Sequence, residues 1–470
     1  MMKDTKPHGS AKKLFNPNAY VILSLLIIMA MVMTWVLPAG EYQRYVDETT
    51  GRTVVDPESF VYIEKSPVGI FDMLRAVPRG LQESSTVIMF IFIVSGTIQI
   101  VRGTGALDAG LRLLILRMKG KDIFVICAVS IVTSLLGAIF GFAQQIIPLI
   151  PLGVSLALGL GYDRMVGFHI IQTASWVGFA AAILNPFTIG IAHELAGLPL
   201  FSGWGYRVVC YVIFMVITLV FIVRYAEKVK KDPTKSVLYD YAGDHGDSAF
   251  AIDIDAEVTK KQSLVLILLL LTFGLMVFGT ISYSWGTTEL TALFLGFGIL
   301  MGLAGGMTPD QVAQEFSKGL GGIAFGAIVV GFSRAIVLVL EDGHVLDTIV
   351  YFLTECIAGA GDSMTLIGMF LIQSLINFFI GSGSGQAAAT MPIMIPLSDT
   401  LEVSRQSTVL AFQFGSGITD MIYPAMVYYL PFADIPYDRW AKHILKLVLI
   451  LTVVAMILVS IAGIMDYGPF

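Results

Sequence analysis

Long apolar runs constrain this chain more than any other feature of its sequence. The first is AYVILSLLIIMAMVMTWVL at 19–37, and comparable runs recur along all 470 residues. A run of about 18 or more apolar residues can cross a bilayer as a helix. Charged residues make up 14% of the chain, whereas a soluble protein carries about 25%. The sequence therefore predicts an all-α polytopic membrane protein.

Lysine placement predicts the orientation, because cytoplasmic flanks carry an excess of Lys and Arg. Lysines are concentrated in the N-terminal tail and in the segment 227–261. The segment 227–261 is predicted to be a cytoplasmic linker. The acidic loop 40–65 alternates apolar and polar residues and is predicted to form a β-hairpin outside. Nine crossings then place the N-terminus in the cytoplasm and the C-terminus outside. The predicted spans are 19–37, 85–102, 164–197, 205–225, 262–283, 288–305, 321–340, 403–433 and 438–463.

Matching motifs in the two halves predict an internal repeat. YDRMVGFHIIQ (162–172) and VSRQSTVLAFQ (403–413) share Arg third and Gln eleventh, and NP at 185–186 matches YP at 423–424. Ser66-Pro67 and Thr308-Pro309 each predict a capped helix start. In the predicted topology these two starts lie on opposite sides of the membrane. Inverted repeats are characteristic of secondary transporters, although a duplicated scaffold without transport is the alternative. We expect the first repeat at 1–226, and an extra span plus the second repeat at 262–470.

The hexapeptide GSGSGQ at 381–386 interrupts the apolar stretch 363–398. Glycine costs about 1 kcal/mol relative to alanine inside a helix, so one continuous helix is unfavourable. The half after the break is also short for a second crossing. Bare backbone at membrane depth is tolerated only against protein or a water-filled cavity. We therefore predict a re-entrant helical hairpin at 363–398 and, from the matching FGFAQQ at 140–145, another at 123–160. They enter from opposite sides with their tips close together.

Each hairpin is followed by a span with its own interruption, ILNPFT at 183–188 and GSGITDMIYP at 415–424. Proline removes a helical N–H group, so 164–197 and 403–433 are predicted to be broken helices. Broken helices and hairpin tips supply ligands to substrate and coupling ions in secondary transporters. The predicted substrate-binding residues are Gln144, Gln145, Asn185, Thr188, Ser382, Ser384, Gln386, Ser416, Thr419 and Asp420.

Within this set, Asp420, Asn185 and Ser384 are candidate ligands for a coupling ion, either sodium or a proton. An intramembrane carboxylate such as Asp420 is costly without a function. The competing interpretation for the small polar residues, above all the serines, is helix packing. The three cysteines lie singly in apolar segments with no metal or disulfide spacing. No metal or cofactor is expected beyond a coupling ion or a counter-substrate.

The motifs NFFIGSGSGQAAATMPIMIPLSD, VSRQSTVLAFQFGSG, LNPFTIGIAHELAGLPLFSG and GFSRAIVLVLEDG resemble the YfcC-type members of the C4-dicarboxylate anaerobic carrier (DcuC-like) family, in the ion transporter superfamily. The resemblance runs along nearly the whole chain. It implies an elevator-type transporter of the prokaryotic inner membrane, with a scaffold, a moving domain that holds both hairpins, and a homodimeric assembly. It also implies a small-molecule substrate, such as a basic amino acid in arginine–ornithine exchange or a C4-dicarboxylate or other organic acid.

This chain departs from the family pattern at the site. The resemblance implies an acidic pair at the first tip, where this sequence has Gln144 and Gln145, and GDG where it has GSG at 415–417. Fewer negative charges favour a zwitterionic amino acid over a dicationic one. Two further classes fit the sequence less well. An intramembrane serine enzyme needs a positioned base, and His443 lies far off in the last span. A channel usually builds its pore from symmetric subunits. Nucleic acid is not an expected partner.

Overall fold

The fold is described here from a computed structural model. Seven helices in the described part of the chain are long and apolar enough to cross a membrane. Six of them coincide with predicted spans, and the seventh, Asp122–Phe140, is the first arm of the predicted hairpin at 123–160. The chain is therefore a multi-pass helical membrane protein. The described residues are 19–46, 53–56, 59–107, 109–110, 120–241, 258–283, 285–355 and 362–468.

The elements follow in chain order, with 3₁₀ and π segments given by their residues. The first part contains α1 Ala19–Val36, β1 Gly40–Glu41, β2 Arg44–Val46, β3 Thr53–Val55, β4 Val61–Tyr62, α2 Ile70–Glu83, α3 Ser85–Gly103, α4 Asp122–Phe140, a 3₁₀ turn Gln144–Leu149, α5 Ile150–Gly159, α6 Arg164–Phe168, a π turn His169–Thr173, α7 Ala174–Ala181, a π turn Pro186–Gly190, α8 Ile191–Leu195, α9 Trp204–Lys231 and a 3₁₀ turn Pro233–Lys235. The second part contains α10 Lys260–Tyr283, α11 Thr287–Ala304, α12 Pro309–Asp342, α13 Leu346–Glu355, α14 Asp362–Phe379, α15 Gly383–Thr400, α16 Arg405–Thr419, a 3₁₀ helix Pro424–Ala433 and α17 Tyr437–Ile464.

One set of helices packs around α12 and is called the scaffold group: α1, α2, α3, α10, α11 and α12. Small residues bring these helices together. Ser95 Oγ on α3 donates to Gly319 O on α12 at 3.0 Å, and a Cβ on Gly319 would lie 2.6 Å from Ser95 O. Thr97 Oγ1 on α3 donates to Phe294 O on α11 at 2.9 Å.

The loop after α1 contains two antiparallel strand pairs, which confirms the predicted β-hairpin. Gly40 lies opposite Tyr62, and Arg44 lies opposite Val55. The Arg44 guanidinium binds both carboxylate oxygens of Asp347 on α13, at 2.7 and 2.9 Å. This contact ties the loop to the second half of the chain.

The hairpin group consists of the predicted hairpins, the broken helices and the helices packed on them, namely α4–α9, the 3₁₀ helix Pro424–Ala433 and α14–α17. The arms α4 and α5 lie on either side of the broken helix that follows them. Gly137 on α4 approaches Ser175 on α7 so closely that no Cβ would fit, and Gly153 on α5 approaches Gly167 on α6 in the same way. Residues 133 to 138 run parallel to residues 170 to 184 of the broken helix. The helix α5 runs along α6 in the opposite direction. The chain therefore reverses between α4 and α5.

The second hairpin repeats this arrangement around α16. Thr408 Oγ1 contacts Met369 Sδ in the first half of α14, at 3.7 Å, and Asn377 contacts Thr419 near the end of α14. The helix α14 is thus parallel to α16, and α15 returns beside it. Gln373 and Thr390 hold α14 and α15 together through a 2.9 Å hydrogen bond.

The two broken helices cross in opposite directions, and each begins where the other ends. Arg164, which begins α6, forms an ion pair with Asp434 just after the second broken helix. Arg405, which begins α16, donates to Ala196 O just after the first, at 2.8 Å. Gly417 on α16 packs against Ala180, and a Cβ there would lie 2.5 Å from Ala180 Cα.

The structure confirms one of two predicted helix starts and contradicts the other. Thr308 caps α12 as predicted: Thr308 N donates to Gln311 Oε1 at 2.9 Å and Gln311 N donates to Thr308 Oγ1 at 3.3 Å. The predicted helix start at Ser66-Pro67 is wrong, because α2 begins at Ile70. The chain before it is held extended along α1, where Thr34 Oγ1 accepts from Val68 N at 3.0 Å.

Candidate functional site

The first broken helix opens into a buried polar turn. The helix α7 ends at Ala182, whose φ of 44° is left-handed. Asn185 then caps the π turn Pro186–Gly190, and its Oδ1 accepts from Phe187 N at 2.9 Å. Asn185 and Thr188 are buried, yet Asn185 Nδ2 and Thr188 Oγ1 have no hydrogen-bond partner. Such buried orphan groups are rare and call for a ligand or water.

Both hairpin tips converge on this turn. Gly141 ends α4 with a left-handed φ of 64°, and its backbone touches the Asn185 side chain so closely that no Cβ would fit. Gly383 begins α15, and a Cβ there would lie 2.6 Å from Thr188 Cγ2. The two tips thus contact residues 185 and 188 of the same turn.

The glutamines of the first tip have separate partners. Gln144 Nε2 donates to the Tyr428 hydroxyl on the second broken helix at 3.3 Å. Gln145 Oε1 accepts from Ala143 N at 3.2 Å, so it stabilises its own tip. Gln144 therefore links the first hairpin to the other repeat, whereas Gln145 contacts no other predicted site residue in the hydrogen bonds of the described residues.

The second tip is organised by Ser382 and Gln386. Ser382 Oγ accepts from Gly385 N at 3.3 Å as the cap of α15, and lies 3.3 Å from Ser384 Oγ. Gln386 turns into the hairpin, where Nε2 donates to Gln373 O at 2.8 Å and to Gln373 Oε1 at 2.7 Å. Only Gln386 Oε1 is left without a partner. Gln386 mainly joins the two arms, while the serines remain accessible at the start of α15.

Asp420 lies in a polar cluster at the second break. Asn377 Nδ2 on α14 is 2.8 Å from each of Ser416 O, Thr419 Oγ1 and Asp420 Oδ1. An amide has only two hydrogens for these three oxygens. Asp420 is 8% exposed, and within the described residues no cationic side chain forms an ion pair with it. Ser416 contributes its carbonyl, since its hydroxyl donates to Gln413 O at 3.3 Å.

Four buried polar residues near the breaks were not among the predicted site residues. Asn377 positions Asp420, and Gln413 Nε2 donates to Phe179 O at 2.8 Å while its Oε1 has no partner. Gln172 has no partner for either amide atom. The Arg207 guanidinium donates to the carbonyls of Ile183, Phe201 and Ser202 at 2.8–3.3 Å. The shared eleventh-position glutamines were the available sequence signal for Gln172 and Gln413.

The geometry gives no support to a serine nucleophile at the second tip. His443 Nε2 lies 3.0 Å from His169 Nε2, and His169 Nδ1 lies 3.0 Å from Thr173 Oγ1. This histidine pair packs against Phe221 and Tyr225 of α9 and Trp440 of α17. Ser382 and Ser384 instead lie within hydrogen-bond distance of each other. Among the described residues there is also no group of three or more His, Cys, Asp and Glu that could hold a metal ion.

A multi-pass helical protein with facing helix breaks that bury unpartnered polar atoms belongs, as a class, to the membrane transporters. The model of the DcuC family, described as C4-dicarboxylate anaerobic carrier, matches residues 17–463. The chain therefore belongs to the DcuC family, as its motifs predicted.

Relatives cover almost the whole chain. An Escherichia coli (strain K12) protein described as "Putative basic amino acid antiporter YfcC" is 33% identical over 96% of this chain and 97% of its own length. A Haemophilus influenzae protein is 27% identical over the same shares. Among solved structures, Neisseria gonorrhoeae MtrF aligns with a TM-score of 0.43, 15% identity and 96% of each chain. The Alcanivorax borkumensis YdaH transporter aligns at 0.42, 14% identity, 96% of this chain and 100% of its own.

Proposed function

We propose that this protein is a secondary active transporter or exchanger of an amino acid. The observation that carries the proposal is the turn at Asn185 and Thr188, where buried unpartnered polar atoms lie between both hairpin tips. A substrate that bonds to these atoms would remove an energetic cost of about 1–3 kcal/mol per group. The relative described as a basic amino acid antiporter supports the same substrate class.

The charges favour a zwitterion. Asp420 can accept a substrate ammonium, because no cation of the described residues pairs with it. The start of α15, with Ser382 and Ser384 at its cap, offers backbone N–H groups and the positive end of a helix dipole to a substrate carboxylate. Asn377 contacts Asp420 and lies six residues before Gly383. One substrate could therefore bridge the second break and the second tip. Arginine or ornithine would need a further anion for its side chain.

Alternating access by an elevator movement is the mechanism we propose, with the hairpin group moving against the scaffold group. The opposed broken helices, which exchange contacts through Arg164 and Arg405, support two inverted repeats. A cleft of about 390 Å³ lies between the two groups. Its walls include Ser95 and Lys318 from the scaffold, and Ser155 and Ala433 from the hairpin group. On the predicted topology this cleft opens to the cytoplasm.

The coupling ion is proposed to be sodium or a proton, unless a counter-substrate takes its place. Asp420 is the first candidate ligand, since Ser416 O and Thr419 Oγ1 converge beside it. Asn185 and Ser384 are the others, at the shared turn and the second tip. We further propose a homodimer in the prokaryotic inner membrane, with the N-terminus inside and the C-terminus outside.

Uptake into proteoliposomes tests the proposal. Purified protein is assayed with zwitterionic amino acids, arginine, ornithine and succinate, under ion gradients and in exchange mode. Thr188→Val keeps the shape of the side chain and removes a hydroxyl that has no hydrogen-bond partner within the protein. We expect uptake to fall about 2- to 12-fold, which is the value of one hydrogen bond, with unchanged thermal stability. Thr218→Val is the matched control, since that buried hydroxyl bonds only to Phe214 O in its own helix, at 2.8 Å.

The same assay separates the alternatives. The family description favours a C4-dicarboxylate or another organic acid, and uptake of succinate without any amino acid would replace the proposed substrate class. Flux that equilibrates without accumulation or exchange would indicate a channel. Conversion of the substrate inside the vesicle would indicate an enzyme.

A further inference from the structure

A groove lies on the outer face of the hairpin group, between α9 and α17. It encloses about 860 Å³. The end of α9 and the start of α17 meet at the same end of the groove, where Arg439 Nη1 donates to Val237 O at 3.3 Å. The groove has a cationic end formed by Arg224, Lys228, Arg439, Lys442 and Lys446.

The cationic end has very little internal compensation. Arg439 and Lys442 share one carboxylate, Asp438, at the long distance of 3.9 Å. Within the described residues Arg224, Lys228 and Lys446 have no carboxylate within ion-pair distance, and no acidic residue lines the groove. Like charges on one surface repel one another and attract an anion. The cationic end therefore favours a negatively charged occupant.

The opposite end of the groove is apolar and open. Val216, Val220 and Ile450 line it with 55%, 43% and 47% of their surfaces exposed. Val216 and Lys228 are separated by twelve residues, or about 18 Å along a helix, close to half of a bilayer core of about 30 Å. A free phosphate would use only the cationic end, and a protein interface core is normally depleted of charges.

We propose that this groove binds one anionic phospholipid. The phosphate and its headgroup lie among Arg224, Lys228 and Lys446, and an acyl chain lies along Val216 and Val220. Basic pockets between transmembrane helices on the cytoplasmic side are a general mode of lipid headgroup recognition. The lysine-rich end of α9 is the end predicted to be cytoplasmic. The proposal does not depend on which substrate the protein carries.

Native mass spectrometry of the full chain in detergent tests this proposal with dioleoyl phosphatidylglycerol and dioleoyl phosphatidylcholine. Wild-type protein should retain phosphatidylglycerol preferentially, at one lipid per chain. A basic residue near an anionic headgroup contributes about fivefold in affinity, so Lys228→Gln with Lys446→Gln should weaken the preference about 25-fold. Lys260→Gln with Lys261→Gln is the matched control, because it removes two exposed lysines from the start of α10. If both double variants lose the preference for phosphatidylglycerol equally, general surface charge explains the binding and the proposed site is overturned.

One further variant, Val220→Trp, and a competition with glycerol phosphate test the groove itself. Val220→Trp fills the groove and leaves every cation in place, so it should abolish retention of phosphatidylglycerol, and undiminished retention would overturn the groove. Glycerol phosphate at millimolar concentration should not displace the lipid, and displacement would mean that only a phosphate site exists. If the wild-type protein without bound lipid has the mass of two chains and Val220→Trp has the mass of one, the groove binds a second copy of this chain instead of a lipid. Thermal unfolding verifies that each variant is folded.

Discussion

At the scale of single residues, the candidate site depends on amides more than on charges. Asn377, Gln386 and Gln413 each use one amide end to hold backbone or side chain, and Gln386 and Gln413 leave the other end unpartnered. If the candidate site takes the proposed substrate, we expect it to bind through hydrogen bonds that only a matching substrate completes. Specificity then comes from the cost of leaving buried polar groups unsatisfied.

Asp420→Asn distinguishes substrate binding from proton coupling. If Asp420 pairs with a substrate ammonium, the variant should raise the dissociation constant about 10- to 150-fold, the worth of one charge-assisted hydrogen bond. If it carries the coupling proton, binding and exchange should persist while pH-driven accumulation disappears. Binding and proton-driven uptake are measured on the same purified variant.

Asp399→Asn is the control for that experiment. Asp399 pairs with Arg405 at 2.6 Å on an exposed surface, so both assays should stay close to wild type. Wild-type values for Asp420→Asn as well would mean that this carboxylate takes no part in binding or coupling.

Part of the candidate site follows from local sequence patterns, and the rest does not, for a physical reason. Glycine, proline and serine clusters mark a helix break locally, so Asn185, Thr188 and Asp420 could be identified from their neighbours. Asn377 lies within the unbroken helix α14, and Gln413 lies in the helical part of the second broken helix, before its break. Their roles depend on partners 39 to 43 residues away for Asn377 and 234 residues away for Gln413, which a local pattern does not encode.

At the scale of secondary-structure elements, glycines in this protein have two different uses. At Gly141 a left-handed φ of 64° ends a helix. At Gly319 the helix continues and the missing side chain admits α3. The predicted span at 321–340 is therefore the second part of a longer helix, because α12 runs unbroken over Pro309–Asp342 from the helix start predicted at Thr308-Pro309.

Gly137→Ala tests the closest helix crossing in the hairpin group. No Cβ fits between Gly137 and Ser175 O, so α4 and α7 would have to separate. Overpacking of this kind costs about 1–3 kcal/mol, and we expect a lower melting temperature in detergent together with reduced uptake.

Gly296→Ala on α11 is the comparison for this variant. A Cβ at Gly296 meets nothing within 4 Å, and alanine favours a helix by about 1 kcal/mol. Its melting temperature should be unchanged or higher. A fall of equal size in both variants would show that the substitution itself, rather than the crossing, is responsible.

At the scale of the whole molecule, the elevator proposal requires that the two helix groups slide past each other. Ser95 and Ser155 face the same cleft from opposite groups. In a background without the three native cysteines, Ser95→Cys and Ser155→Cys can be joined by a reducible thiol cross-linker. We expect uptake to stop, substrate binding to persist, and reduction to restore uptake.

Gln99→Cys with Glu315→Cys is the internal control for cross-linking. Both residues belong to the scaffold group and already share a 2.9 Å hydrogen bond, so joining them should leave uptake intact. Full uptake in the verified Ser95–Ser155 cross-link would instead favour a fixed site with small gates.

Because both tips contact one five-residue turn, a gene encoding only one half of this chain would yield a protein without a complete site. Gly383 comes from the second half and Thr188 from the first, and Gln144 meets Tyr428 across the same divide. If the gene is split at the predicted linker, neither fragment alone should therefore support uptake. Co-expression of the two fragments should restore uptake, as in complementation between separated genes.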